Sequence, residues 1–123
     1  MSGLPSLSQL VVSRSFQAAN GELGLLPSDA AAFLDACEAD DVAVLGWEVW
    51  LADHEWDVQG NRPRAARGEW CGLIPGRKSG EFSVLHGSGD LDEVRQQIAA
   101  LDLVESIEPR WLPHARLNFT LDD

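Results

Sequence analysis

The sequence has no tyrosine and only two cysteines. Cys37 and Cys71 form no CxxC and no zinc-like spacing, which excludes the usual thiolate metal frameworks. They read as reduced thiols packed as small hydrophobes. No apolar run approaches the roughly 18 residues of a membrane span. The first residues hold neither a positive n-region nor an apolar h-region, so no Sec-type signal is expected and a cytoplasmic location is. GxSxG, HExxH and the EF-hand pattern are all absent. Gly72, Gly76 and Gly80 stand among Arg77 and Lys78, but without Walker A spacing or a GK[ST] ending. The expectation is a protein with no cofactor and no metal. Positive charge is missing where it would be most visible: no Lys or Arg lies between Arg14 and Arg62.

That interval carries Glu22, Asp29, Asp35, Glu38, Asp40, Asp41, Glu48, Asp53, Glu55 and Asp57. Five of the nine basic residues then crowd into Arg62, Arg64, Arg67, Arg77 and Lys78. The net charge of −11 disfavours nucleic acid and anionic membrane surfaces as partners. Two readings of the acidity stay open. One is solubility with internal neutralisation. The other is an acidic surface that attracts a basic partner and speeds encounter.

A length of 123 residues with 45% apolar content fits a single domain with one core. The chain is organised around Val42 to Asp53, its longest near-continuous apolar run. Its Val and Trp content suits a central strand buried on both faces. On a period of two, Ala43, Leu45, Trp47, Val49 and Leu51 share one face, and Val42, Val44, Gly46, Glu48 and Trp50 the other. Glu48 is the anomaly, because a buried carboxylate must be paired, hydrogen-bonded or neutralised.

Gln9 to Ser15 is compatible with a short strand or a helix end. Asn20-Gly21, Gly24 and Pro27 are turn chemistry, with Leu23, Leu25 and Leu26 tucked inward. Ser28 to Asp40 predicts a helix, N-capped by Ser28, with Ala30, Phe33, Leu34 and Cys37 as its core stripe. Asp40 and Asp41 end it against the sense of the helix dipole, a clue to use elsewhere. Asp53 to Gly68 is a long polar loop. Within it Trp56 stands between Glu55 and Asp57, as an interface anchor or as an aromatic folded over the core. Glu69 to Ile74 and Glu81 to His86 predict a hairpin about a basic turn. Gly87 to Gly89 reads as a flexible link. Asp90 with Glu93 opens a second helix to about Leu103, with Leu91, Val94, Ile98 and Leu101 buried. Residues 104–113 read as a connection. Ala115 to Leu121 alternates as a half-buried strand, with Arg116, Asn118 and Thr120 outward. The fold class is α+β: a single domain over residues 1–123, with two main helices on one face of a mostly antiparallel sheet of about four to five strands.

Catalysis has little to draw on. Cys71 with His86 or His114 would imitate a Cys–His pair, without diagnostic spacing. Asp53, His54, Glu55 and Asp57 read as a solvated acidic loop rather than a metal site. Five tryptophans are many for this length. Trp47 and Trp50 point to opposite faces of the key strand.

Four places resemble the small immunity proteins of bacterial polymorphic-toxin systems, of the type called immunity protein 40. The first is the short helix from Ser28 to Cys37. The second is Val44-Leu45-Gly46-Trp47-Glu48-Val49, similar to the family's aliphatic-Leu-Gly-Gly-Asp-Val strand. The third is Gly68-Glu69-Trp70, similar to an Asp-Asn-Trp. The fourth is the late helix from Asp90 to Leu101 and its closing strand. Trp47 stands where the family has its second Gly, and Glu69 where it has Asn. Glu48 keeps the carboxylate of the family's Asp. The resemblance implies a cytoplasmic, non-catalytic protein that neutralises a cognate toxin, the C-terminal domain of a secreted protein. Candidate contacts are Asp40, Asp41, Asp53, Glu55, Trp56 and Asp57, with Glu48 and Trp70 beside them. A small acidic adaptor is the competing reading, followed by the Cys–His enzyme.

Overall fold

The computed structural model describes residues 5, 7, 9–18, 21–52, 70–78 and 80–122. Among these the chain is α+β, with every strand pairing antiparallel. The central strand forms as expected, as β3 (Val44–Leu51). It pairs along its whole length with the closing strand, Ala115–Leu121. On its other side it pairs with the short strand His86–Ser88. Numbered along the chain, these are β7 and β6, and the sheet order is β6-β3-β7. Two ribbons flank it. Phe16–Gln17 (β1) pairs with Leu23–Gly24 (β2), and Ile74–Pro75 (β4) with Phe82–Ser83 (β5). Single bridges, Leu25 to Leu117 and Leu51 to Cys71, join each ribbon's neighbourhood to the sheet.

The ambiguous segment Gln9–Arg14 is a helix, α1. The next, α2, spans Ala30–Ala39 and buries Ala30, Phe33, Leu34 and Cys37, the predicted stripe. Its start differs from expectation. Pro27–Asp29 forms a 3-10 turn, and the position before Ala30 is Asp29, whose side chain makes no cap. That carboxylate is taken by Arg14, whose Nε and Nη2 donate to its two oxygens at 2.8 and 2.6 Å. The second predicted helix runs Leu91–Ala100 (α3) behind the full Asp90/Glu93 capping box. What read as connection contains a further short helix, Leu103–Ser106 (α4), capped by Asp102.

Helices α2 and α3 cover one face of the sheet. Phe33, Leu34, Cys37 and Val94 join Trp47, Val49, Leu51, Leu117 and Phe119 in one core. Phe33 stacks on Phe119 with ring centroids 5.0 Å apart.

Strict alternation along β3 fails at its start. Val44 faces Leu121 and Gly46 faces Thr120, so two residues of β3 oppose one step of β7. This bulge reverses the side-chain sense. Val44 is therefore buried in the core, and Leu45, expected inside, is 49% exposed. Gly87 and Ser88, expected as a flexible link, belong to β6. The Trp47 indole lies over Gly87, its cross-strand partner, and donates to Gln97 Oε1 at 2.7 Å. A Cβ on Gly87 would stand 2.5 Å from Trp47 Nε1. Only glycine lets the indole close the space between sheet and α3.

Candidate functional site

The face of the sheet turned away from α2 and α3 carries Gly46, Glu48 and Trp50 of β3. Cross-strand neighbours share a face. The register therefore sets Glu48 in a row between His86 and Asn118, and Trp50 beside Arg116. In a chain that otherwise buries apolar side chains, this row of polar residues needs an account.

Trp50 is its base. It is 1% exposed, although it lies opposite the helix layer. Trp70 covers it in a parallel stack, with centroids 4.2 Å apart and planes 6° from parallel. Phe16 meets it edge-on at 6.3 Å. Stacked aromatics of this kind contribute about 0.5–1.5 kcal/mol beyond their buried area. The bridge from Leu51 to Cys71 explains the placement, since it anchors the residue after Trp70 to the end of β3.

Glu48 is half-buried at the edge of this stack. Its Oε1 accepts the Trp50 indole N–H at 3.2 Å. Its other oxygen, Oε2, lies over Gly72, 2.7 Å from where a Cβ would stand. The Trp70 ring reaches the same point, with Cζ3 at 3.2 Å. Glycine at 72 thus lets a carboxylate oxygen and an indole ring pack together directly on the backbone, where any side chain would collide with them. Among the described residues no cation pairs with Glu48. On the same face Arg116 directs Nη1 to the carbonyls of Pro113 and Ala115. Asn118, expected outward into solvent, is buried, and its side chain donates to the Leu23 carbonyl at 3.0 Å. His86 is exposed.

The structure thus brings Glu48 and Trp70 together. Asp40 and Asp41 are elsewhere, beyond the opposite end of β3. The strand separates them from the Leu51 end by its own length, about 23 Å at 3.3 Å per residue. Asp41 has a local task there. Its φ of 55° makes it the left-handed residue that stops α2. Asp41 N–H donates to Glu38 O, and Val42 N–H to Cys37 O, the paired bonds of a Schellman ending. Asp53, Glu55, Trp56 and Asp57, with His54, lie outside the described residues. Sequence reading put Glu48 and Trp50 on one face but missed Trp70 as the cover of Trp50, the close approach at Gly72, and Phe16. The only signal for them was the coincidence of two tryptophans and a glycine around a carboxylate.

Cys71 is half-buried and donates weakly to Leu73 O at 3.7 Å. It bridges to Leu51 on one side of β3, while Ala115, next to His114, pairs with Leu51 on the other. Two strand spacings, about 9.6 Å, separate those backbones. His86 is on the same side as Cys71 but three β3 residues away along the sheet, about 10 Å. A cleft of about 360 Å³ lies elsewhere, between the β4–β5 turn and residues 108–111, lined by Arg77, Lys78, Arg110, Glu81, Glu108 and Trp111. Arg110 pairs with Glu108 at 2.5 Å, and Arg77 Nε donates to the Val104 carbonyl at 2.8 Å. Among the described residues no helix is long and apolar enough to cross a membrane. No family model, no curated protein and no solved structure matches the chain.

Proposed function

We propose that this chain is a bacterial immunity protein that binds a cognate protein toxin in the cytoplasm and blocks it by occupying a basic surface, such as a nuclease cleft. The observation that supports this reading most is Glu48. It is a half-buried carboxylate without a counter-ion among the described residues, on a sheet face free of the main helix layer. The chain's net charge of −11 supplies the attraction for a basic partner. Of the residues that carry the resemblance, Gly46, Glu48 and Trp70 belong to this face, while Trp47 and Val49 point into the core beneath the helices. The partner is a protein; a nucleic acid or an anionic membrane would be repelled. No catalytic step, cofactor or metal enters the reading.

The test has two stages. The tagged full chain is used to capture partners from its native cells. The captured domain is then expressed alone and together with the chain. The expected result is a near-stoichiometric partner, the C-terminal part of a large secreted protein, that arrests growth alone and not in combination. A captured protein that is harmless when expressed alone, or capture of housekeeping enzymes only, sinks the immunity reading and favours an adaptor.

A further inference from the structure

The cleft between the β4–β5 turn and residues 108–111 plays no part in the immunity reading. We propose that it is a binding site for a small organic carboxylate: a single negative charge carried on an apolar body of about one ring.

Backbone hydrogen bonds hold the walls. Glu108 N–H donates to the Pro75 carbonyl at 2.9 Å, which joins the two sides of the cleft. Gly76 N–H donates to Glu81 O at 2.9 Å and Glu81 N–H to Lys78 O at 3.1 Å, so the basic turn is closed on itself. Arg77 is anchored from a third side, through Nε on the Val104 carbonyl of α4. Arg110 pairs with Glu108 and lies over the Trp111 ring, 5.3 Å from its centroid. Groups ordered before a ligand arrives lose little freedom when it binds.

Charge indicates the class of ligand. Of the nine basic residues six are described, and three of those line this cleft in a chain of net charge −11. The other three are engaged elsewhere, Arg14 and Arg95 in ion pairs and Arg116 on carbonyls. Within the cleft Arg110 and Glu108 offset one another. Among the described residues Arg77 uses only its Nε, Lys78 forms no ion pair, and the Glu81 carboxylate pairs with neither. Three cations against two carboxylates leave one positive charge in excess. A carboxylate matches that charge, and the free end of the Arg77 guanidinium is a fork able to hold both of its oxygens. A phosphate monoester carries nearly two charges at neutral pH and would be opposed by Glu81. Pro75, Phe82 and Trp111 set the body of the ligand. Phe82 is 43% exposed, and a ring laid against it removes that apolar surface from water. The volume of about 360 Å³ is at the small end of the range for ligand sites.

The experiment titrates 3-phenylpropionate into the full chain at neutral pH and constant ionic strength, and follows the indole N–H resonances by NMR. The expected result is a saturable shift of the Trp111 signal with a Kd of about 10 mM or tighter, the range for so small a ligand, with Trp47 and Trp50 unmoved. Acetate, which has the charge without the ring, and 3-phenylpropanol, which has the ring without the charge, should each bind at least about tenfold more weakly. Arg77→Gln should weaken 3-phenylpropionate about tenfold, the loss of one charge-assisted pair, while the unshifted Trp47 resonance reports an intact fold. Inorganic phosphate should bind the parent chain more weakly than 3-phenylpropionate does, and Glu81→Gln should tighten phosphate at least about threefold. The proposal is overturned if 3-phenylpropionate leaves Trp111 unmoved, if the alcohol or acetate binds as well as it does, or if Arg77→Gln binds it like the parent chain. Phosphate binding that equals that of 3-phenylpropionate, or that ignores Glu81→Gln, overturns the assignment to a single charge. No toxin is needed for any of these readouts, so failure of the cleft and failure of the immunity reading are separate results.

Discussion

At Asp41 the needs of the fold and the needs of a partner compete within one residue. A non-glycine residue at φ 55° pays for its left-handed backbone, and its carboxylate sits at the negative end of α2. Glycine relieves both without disturbing the two hydrogen bonds that end the helix. Asp41→Gly should therefore stabilise the protein by about 0.5–1 kcal/mol. Urea unfolding should show this as a higher midpoint with an unchanged slope. If the midpoint does not rise, Asp41 has a favourable local interaction that outweighs the strain. If it rises while partner affinity falls, Asp41 is kept for binding at the expense of stability. Gly87 is the opposite case, a glycine required by packing. Gly87→Ala would press a methyl group on the Trp47 indole and on the Gln97 side chain that it bonds. Overpacking of this kind costs about 1–3 kcal/mol. Loss of stability together with a shift of the Trp47 indole resonance would check it. Unchanged stability would mean that sheet and α3 separate freely.

Between elements, the contacts that hold the fold differ in how visible they are in sequence. The capping box of α3 was legible because all of it lies within four residues: Glu93 N–H donates to Asp90 Oδ1 at 2.9 Å, and Asp90 N–H to Glu93 Oε1 at 3.1 Å. Asp90→Ala should cost about 1 kcal/mol, measured by thermal or urea unfolding. A loss near zero would mean that tertiary packing of Val94 alone sets the start of the helix. The stripe of α2 and the alternation of β7 were legible for the same reason, since one element's own period encodes them. The bulge at Leu45 was not, because it arises from the register between β3 and β7, some 75 residues apart in sequence. A period-two reading carried through the bulge set Leu45 on the face of Trp47 and Val49, and Val44 on that of Glu48 and Trp50; in the structure Val44 joins the core and Leu45 is exposed. The Ser28 cap failed differently. Ser28 falls inside the Pro27–Asp29 3-10 turn, which moves the cap position to Asp29, and the carboxylate there is held by Arg14, fifteen residues earlier. The candidate site was half legible. Glu48 stood out as a charge in an apolar run, but its surroundings depend on Trp70 and Gly72, which the Leu51–Cys71 bridge brings to β3.

For the molecule as a whole, two buried acids on neighbouring elements set opposite limits on the pH range of stability. Asp29 is 4% exposed, and the hydrogen bonds from Arg14 hold its carboxyl below the usual carboxylate range despite its burial. Its folded pKa is lower than its unfolded one. Its contribution is thus present above the unfolded value and lost as pH falls through the folded one. Cys37 is 0% exposed at the base of α2. Burial, helped by the nearby Asp40 carboxylate, pushes its thiol up to about 11. Here the native state keeps a proton that the unfolded chain releases, so stability is full below the ordinary thiol pKa and declines as pH rises toward 11. Unfolding free energy against pH should therefore show an acid limb that Asp29→Asn flattens and an alkaline limb that Cys37→Ala flattens, each at a cost in stability near neutrality. The two limbs should vary independently, because the groups share no partner. The same burial should protect Cys37 from a thiol reagent in the native state while half-buried Cys71 reacts first. An alkaline limb that survives Cys37→Ala would assign it to another group. Fast labelling of both thiols would mean that α2 opens from the sheet far more readily than its packing on Phe119 and Trp47 implies.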